Sequence, residues 1–145
     1  MKVCNWVLFV ILLVIFGCTE PENKDTIDIT IEMIEGSTIG SGGALTMTIF
    51  GYDANIADQA ATPLYKESKE INKLPFIWEV IIDEKWNQKI EPNSGTKSKF
   101  GFYIALESKH FRIDYKNTND GDGPKFVNNV RDLEQVLIIE EMSVQ

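Results

Sequence analysis

Apolar and polar residues alternate along most of this chain. In "TIDITIEMI", Ile27, Ile29, Ile31 and Met33 alternate with Asp28, Thr30 and Glu32. A period of two places one set on each side of a pleated strand and predicts a half-buried strand. "EGSTIGSGG" breaks the pattern with glycines, and "ALTMTIFGY" resumes it with Leu45, Met47 and Ile49 on one face and Thr46 and Thr48 on the other. A weaker strand runs through "ATPLYKES", where Pro63 marks a sheet edge because proline cannot donate to a ladder. In "LPFIWEVII", Leu74, Phe76, Trp78, Val80 and Ile82 share one face, while Ile77 and Ile81 flank Glu79 on the other. That second face is too apolar for open solvent, which leaves two readings. The connection "DEKWNQKIEPNSGTKSK", with one helical turn around Trp86, covers it, or a partner does. Then come "KFGFYIALE" and "KHFRIDYK", joined tightly at Ser108-Lys109, a turn-rich loop, the short helical or irregular crossover "FVNNVRDLE" and the strand "QVLIIEE".

Short strands with almost no helical periodicity predict an all-β fold, a single antiparallel β-sandwich of about seven strands. Its expected core is Ile29, Ile31, Leu45, Met47, Phe76, Trp78, Phe102, Ile104 and Ile138.

The N-terminal segment follows another rule. The apolar run from Trp6 to Phe16 is 11 residues long. A spanning helix needs about 20, whereas a secretory h-region has this length, with Lys2 and the chain amine as its positive flank. The run stops on Ile15-Phe16-Gly17-Cys18, which resembles the bacterial lipobox, although Phe16 is bulkier than usual there. The resemblance implies cleavage between Gly17 and Cys18, a diacylglycerol on the Cys18 thiol and an acyl chain on its new amine. Several chains hold a protein at a bilayer where one holds only marginally. The expected organisation is a lipoprotein signal peptide over 1–17, a lipidated cysteine and polar tether over 18–26, and a β-sandwich domain over 27–145. Thr19 stands where an inner-membrane retention aspartate would be, so the expected location is the outer membrane, with the domain facing the periplasm.

Composition narrows the chemistry. The net charge is −8, and removing Lys2 with the signal makes it −9. An acidic chain without a basic run argues against nucleic-acid binding. Of the two cysteines, Cys4 leaves with the signal and Cys18 carries lipid, so no disulfide is expected. His110 is the single histidine, so the usual nucleophilic and transition-metal constellations lack their parts. "GSTIGSGG" has no Gly-Lys-Ser/Thr after it and reads as a loop rather than a phosphate cradle. "NTNDGDG" has the oxygens of a calcium loop, but its glycine falls at position five instead of six. Glu140 and Glu141 are adjacent on a strand and point to opposite faces, a poor catalytic pair. The expectation is no enzyme, no metal and no cofactor beyond the lipid on Cys18.

One longer resemblance emerges from Gly43 to Ala61. Ala44-Leu45-Thr46-Met47-Thr48-Ile49, then Asp53, Ala57-Asp58 and Ala60-Ala61, resemble in order and spacing the YbaY/YscW-type lipoproteins. "LPFIWEVII", Ile90-Glu91-Pro92 and Tyr103-Ile104-Ala105 continue the likeness over about residues 27–141, while "ESKHF" and "KNTNDGDGPKFVNNVRD" depart from it. The resemblance implies a non-enzymatic β-sandwich. One branch consists of pilotins, lipoproteins that escort the secretin of a type III secretion system to the outer membrane. The other consists of envelope lipoproteins of undefined role, often with a Pro/Ser/Thr-rich tail, and for this chain it implies the alternative of a lipoprotein that binds another envelope component or a small ligand. No such tail follows the last strand here, which leans toward the pilotin branch. The implied partner is a secretin subunit, met either at Ile77 and Ile81 or by strand addition at the Pro63 edge.

Lipidation is directly testable. Labelled palmitate is expected in the wild-type protein and absent from Cys18→Ser; a predominantly soluble periplasmic form with a free cysteine would overturn the anchor.

Overall fold

A computed structural model describes residues 25–35, 38–40, 42–115 and 123–142. Gly17 and Cys18 lie outside the described residues, as does most of the "NTNDGDG" loop. The strands are β1 (Thr26–Met33), β2 (Gly43–Asp53), β3 (Thr62–Ile71), β4 (Phe76–Ile81), β5 (Phe100–Ser108), β6 (Phe111–Asp114) and β7 (Gln135–Glu141). They form two sheets, ordered β4-β1-β7-β6 and β3-β2-β5. The all-β sandwich expected from the alternation is what the chain forms.

The first sheet is mixed rather than antiparallel, because β1 pairs β7 in parallel, Ile29 opposite Gln135 and Ile31 opposite Leu137. A 3-10 turn at Val130–Leu133 delivers the chain beside the start of β1, so β7 must run in the same direction. Arg131 fastens that turn to Asp25 with a 2.7 Å ion pair. The tight joint after Ser108 also differs from a hairpin, since β5 and β6 belong to different sheets. Ser108 turns this corner: its Oγ donates to the Ala44 carbonyl at 2.7 Å and accepts from the His110 and Phe111 amides at 3.0 and 3.2 Å.

Between the sheets the core is aliphatic. Ile29, Ile31, Leu45, Met47 and Ile49 are fully buried, with Trp78, Ile104, Leu137 and Ile139 beside them. Ile138, expected inside, lies on the outer face, because β7 buries Leu137 and Ile139 instead. Phe76 is only half-buried.

The connection from β4 to β5 closes one end of the sandwich. It forms the short helix α1 (Trp86–Lys89) and sends Trp86 and Ile90 into the core, 4% and 0% exposed. It therefore does not cover Ile77 and Ile81. Gly51 makes room, since a Cβ there would come within 2.7 Å of the Ile90 Cδ1. Asp53, at the end of β2, holds the connection in place. Its carboxylate accepts from the Ser94 amide at 2.5 Å, the Ser94 hydroxyl at 2.6 Å, the Asn55 amide at 3.0 Å and the Lys99 amide at 3.2 Å. Burial pushes its pKa up, but these donors favour the charged form more strongly and hold it well below the usual 3.8.

One flank is closed by side chains alone. Trp78 of β4 donates its indole N–H to the Tyr65 hydroxyl at 3.1 Å and to Glu67 Oε2 at 3.0 Å, both on β3. Tyr65 donates to the same carboxylate. Lys69 pairs with Glu67 at 3.2 Å and lies 4.9 Å from the Trp78 ring centre. Burial and the hydrogen bond to Glu67 raise the Tyr65 hydroxyl to about 12, whereas that bond first, then those from Trp78 and Lys69, lower Glu67 against its desolvation. One carboxylate thus joins the two sheets where no backbone ladder does.

Two measurements test this account. Trp78→Ala removes a fully buried ring and its indole bonds, and is expected to cost about 3–5 kcal/mol in denaturant unfolding; Phe76→Ala, at a half-buried site, is expected to cost less. A depressed carboxylate pKa stabilises the fold above the ordinary pKa, and that stability is lost as pH falls through the lowered value. Asp53→Asn should therefore be less stable at pH 7, with the gap to wild type narrowing below about pH 4; a gap constant through the acid range would refute the clamp.

Candidate functional site

A two-sheet sandwich has four edges, and each strand at an edge offers unpaired backbone groups to another chain. Three of them here are managed. β6 is four residues long, too short to template much pairing. β5 is covered, because Val127 and Phe102 exchange backbone hydrogen bonds of 2.8 and 2.9 Å across it. β3 carries exposed Pro63 at its start, a register break that leaves Leu64 unpaired, and Lys66 and Lys69 along its length. Proline, bulges and lysines are the devices that blunt an edge. The sequence reading of Pro63 as an edge marker was correct in position, but the edge it marks is a defended one.

β4 carries none of these devices within it, and its one proline, Pro75, stands just before its first residue. It reads Phe76-Ile77-Trp78-Glu79-Val80-Ile81, with a single charge, and among the described residues it pairs on one side only, with β1. The phase of that ladder decides which groups face out. Ile82 donates its amide to the Asp25 carbonyl at 2.8 Å, so the even-numbered residues of β4 point their backbone groups at β1. In an antiparallel ladder the intervening residues point the other way. Ile77, Glu79 and Ile81 therefore present their N–H and C=O groups to the free edge. The same three side chains stand on the outer face of the sheet, because Trp78 and Val80 are buried on the inner one.

Ile77 is 63% exposed and Ile81 51% exposed. Ile77 lies opposite Thr30 of β1, and Thr30 lies opposite Val136 of β7, itself 45% exposed, so two exposed aliphatic side chains flank a threonine across three strands. Between the two isoleucines, Glu79 faces Asp28 of β1 directly. Like charges opposite one another destabilise a sheet slightly, and among the described residues no cation pairs with either. The outward side chains of β4 and β1 include Glu79, Asp28 and Glu32 but no lysine or arginine, while Glu140 of β7 is paired with Arg112 of β6. The surface is apolar and acidic, edged by open backbone.

Ile77 and Ile81 thus sit together on one strand, and Pro63 belongs to the edge of the other sheet. Sequence reasoning placed Glu79 on the face of Ile77 and Ile81 but missed Asp28 and Val136, since only the strand pairing brings those two onto this face. His110 is exposed on the corner after β5, its ring over Gly43, away from this edge. Among the described residues no cluster of three histidines, cysteines or carboxylates could hold a metal, and no helix is long and apolar enough to cross a membrane. The arrangement is suited to binding an extended chain.

No family model matches the chain, and no curated protein matches it, so the likeness to YbaY/YscW-type lipoproteins stays a resemblance of motifs. Among solved structures, the chain is similar to an alternative pilotin from the type II secretion system of Vibrio cholerae, at 13% identity and a TM-score of 0.46, covering 83% of this chain and 98% of that one.

Proposed function

We propose that this protein is a lipid-anchored outer-membrane lipoprotein that acts as a non-enzymatic chaperone of the pilotin kind. Its domain faces the periplasm, binds a secretin subunit of a type III secretion system before assembly, and travels with it to the membrane where its own acyl chains are delivered. The observation that carries the reading is the undefended β4 edge, with Ile77 and Ile81 exposed at 63% and 51% on a strand whose backbone is open. An unassembled secretin subunit exposes apolar surface, and a sheet edge with apolar side chains beside it can cover an extended segment of it. The lipobox-like Ile15-Phe16-Gly17-Cys18 supplies the anchor, and the order of motifs from Gly43 to Tyr103 supplies the link to secretins.

The test uses a strain that carries the protein and a secretin. Ile77→Asp and Ile81→Asp change exposed residues, so each is expected to unfold within about 0.5 kcal/mol of wild type. In both variants, secretin multimers at the outer membrane should fall as they do in a strain lacking the protein. Normal multimers in the deletion strain would reject the secretin role and leave an envelope lipoprotein with another client. Normal multimers in both variants alone would reject this face.

A further inference from the structure

We infer that β4 accepts an extended partner segment as an added antiparallel strand, and that the segment it selects reads aliphatic–x–Lys/Arg–x–aliphatic. The inference deepens the proposed function by naming the chemistry of the client at the same edge.

The argument starts from the backbone. Ile77, Glu79 and Ile81 offer three N–H and three C=O groups at a spacing of two residues, the repeat at which an antiparallel partner exchanges hydrogen bonds. Each of the three would therefore face one partner residue directly, with both side chains on the outer face of the sheet. The chemistry of those facing residues is set by what is already there. Opposite exposed Ile77 and Ile81, an aliphatic side chain removes apolar surface from water. Opposite Glu79, which already confronts Asp28 with no cation between them, a lysine or arginine supplies the missing opposite charge. The pattern is palindromic, so it is read the same way along either strand direction.

The intervening partner residues would point inward, toward the flank where Lys69 and Glu67 of β3 close over Trp78. That flank is filled by side chains already, so those positions take small or polar residues. A second copy of this protein is a poor occupant. Two β4 strands paired about a dyad with all three residues matched would place Glu79 against Glu79, and like charges directly opposite repel. The edge is thus apolar enough to attract an extended chain, and its one charge tells a basic client from a copy of itself.

The experiment uses the purified full-length protein in detergent micelles and three synthetic peptides, with no secretin present. The first is Gly-Ser-Ile-Thr-Lys-Thr-Ile-Ser-Gly. The second has glutamate for lysine, and the third is the first with N-methyl groups on both isoleucines and the lysine. At low salt the lysine peptide should bind roughly three- to tenfold more tightly than the glutamate peptide, the scale of a cross-strand charge pair gained against one lost. The order should reverse in Glu79→Lys, and the N-methylated peptide should not bind. Amide exchange at Ile77, Glu79 and Ile81 should slow on binding. Binding that ignores the central charge, an order unchanged in Glu79→Lys, protection on β3 instead of β4, or no binding at millimolar peptide would each overturn the inference. If the peptides behave as expected while a strain lacking the protein assembles its secretin normally, the edge stands and the secretin role falls. If the secretin phenotypes appear but the peptide results do not, the role stands and this recognition pattern falls.

Discussion

Every backbone N–H and C=O in a sheet must be paired, covered or left to water, and the arrangement of this molecule follows from how that requirement is met at the four edges of its sandwich. The segment around Val127 covers β5 with a two-bond bridge. β6 stops after four residues. β3 is broken by Pro63 and carries lysines. What remains is β4, whose outer edge no other described strand pairs, beside isoleucines that water solvates poorly. The same strand carries Trp78 inward, so the site and the core share one element. Its inner face is fixed by the core, which leaves its outer face free to vary without loss of the fold.

The β3–β4 flank shows why this edge is open. A continuous ladder between β3 and β4 would join the two sheets along that flank and consume the edge. Instead, Tyr65, Glu67 and Lys69 reach across and meet the Trp78 ring and its N–H. Side chains hold the sheets together at that flank and leave the backbone of β4 unspent. The same partners keep β4 sound as a strand: the indole of Trp78, a buried polar group that would otherwise be costly, is satisfied from within the chain.

Much of this was legible in the sequence, and the rest was not, for reasons specific to each strand. Period-two alternation located β1, β2 and β4 and named their inward faces, although Thr48 on the other face of β2 is buried too. It failed at β7, where Val136, Leu137, Ile138 and Ile139 are all apolar and carry no phase; the structure buries Leu137 and Ile139 and leaves Ile138 outside. The parallel pairing of β1 with β7 was illegible too, since it depends on where the Val130–Leu133 turn docks against Asp25, a contact between residues 106 positions apart. Ile77 and Ile81 stood out as apolar residues on the wrong face. That β4 is an undefended edge could not be read, because edge status belongs to the strand order and not to any one strand. The acidic pair Asp28 and Glu79 was invisible for the same reason.

The strand order also places the acceptor edge relative to the proposed anchor. Thr26 opens β1 and lies directly opposite Ile81, the last residue of β4. The chain between Cys18 and that point is at most seven residues, Thr19 to Asp25, and a fully extended segment of that length reaches about 25 Å. With lipid on Cys18, the Ile81 end of β4 is therefore held within that distance of the bilayer, and a bound segment lies along an edge that starts at the tether. On the proposed function, a client added to β4 would then lie near the membrane surface, and the length of the tether would bear on delivery and not on the affinity of the edge.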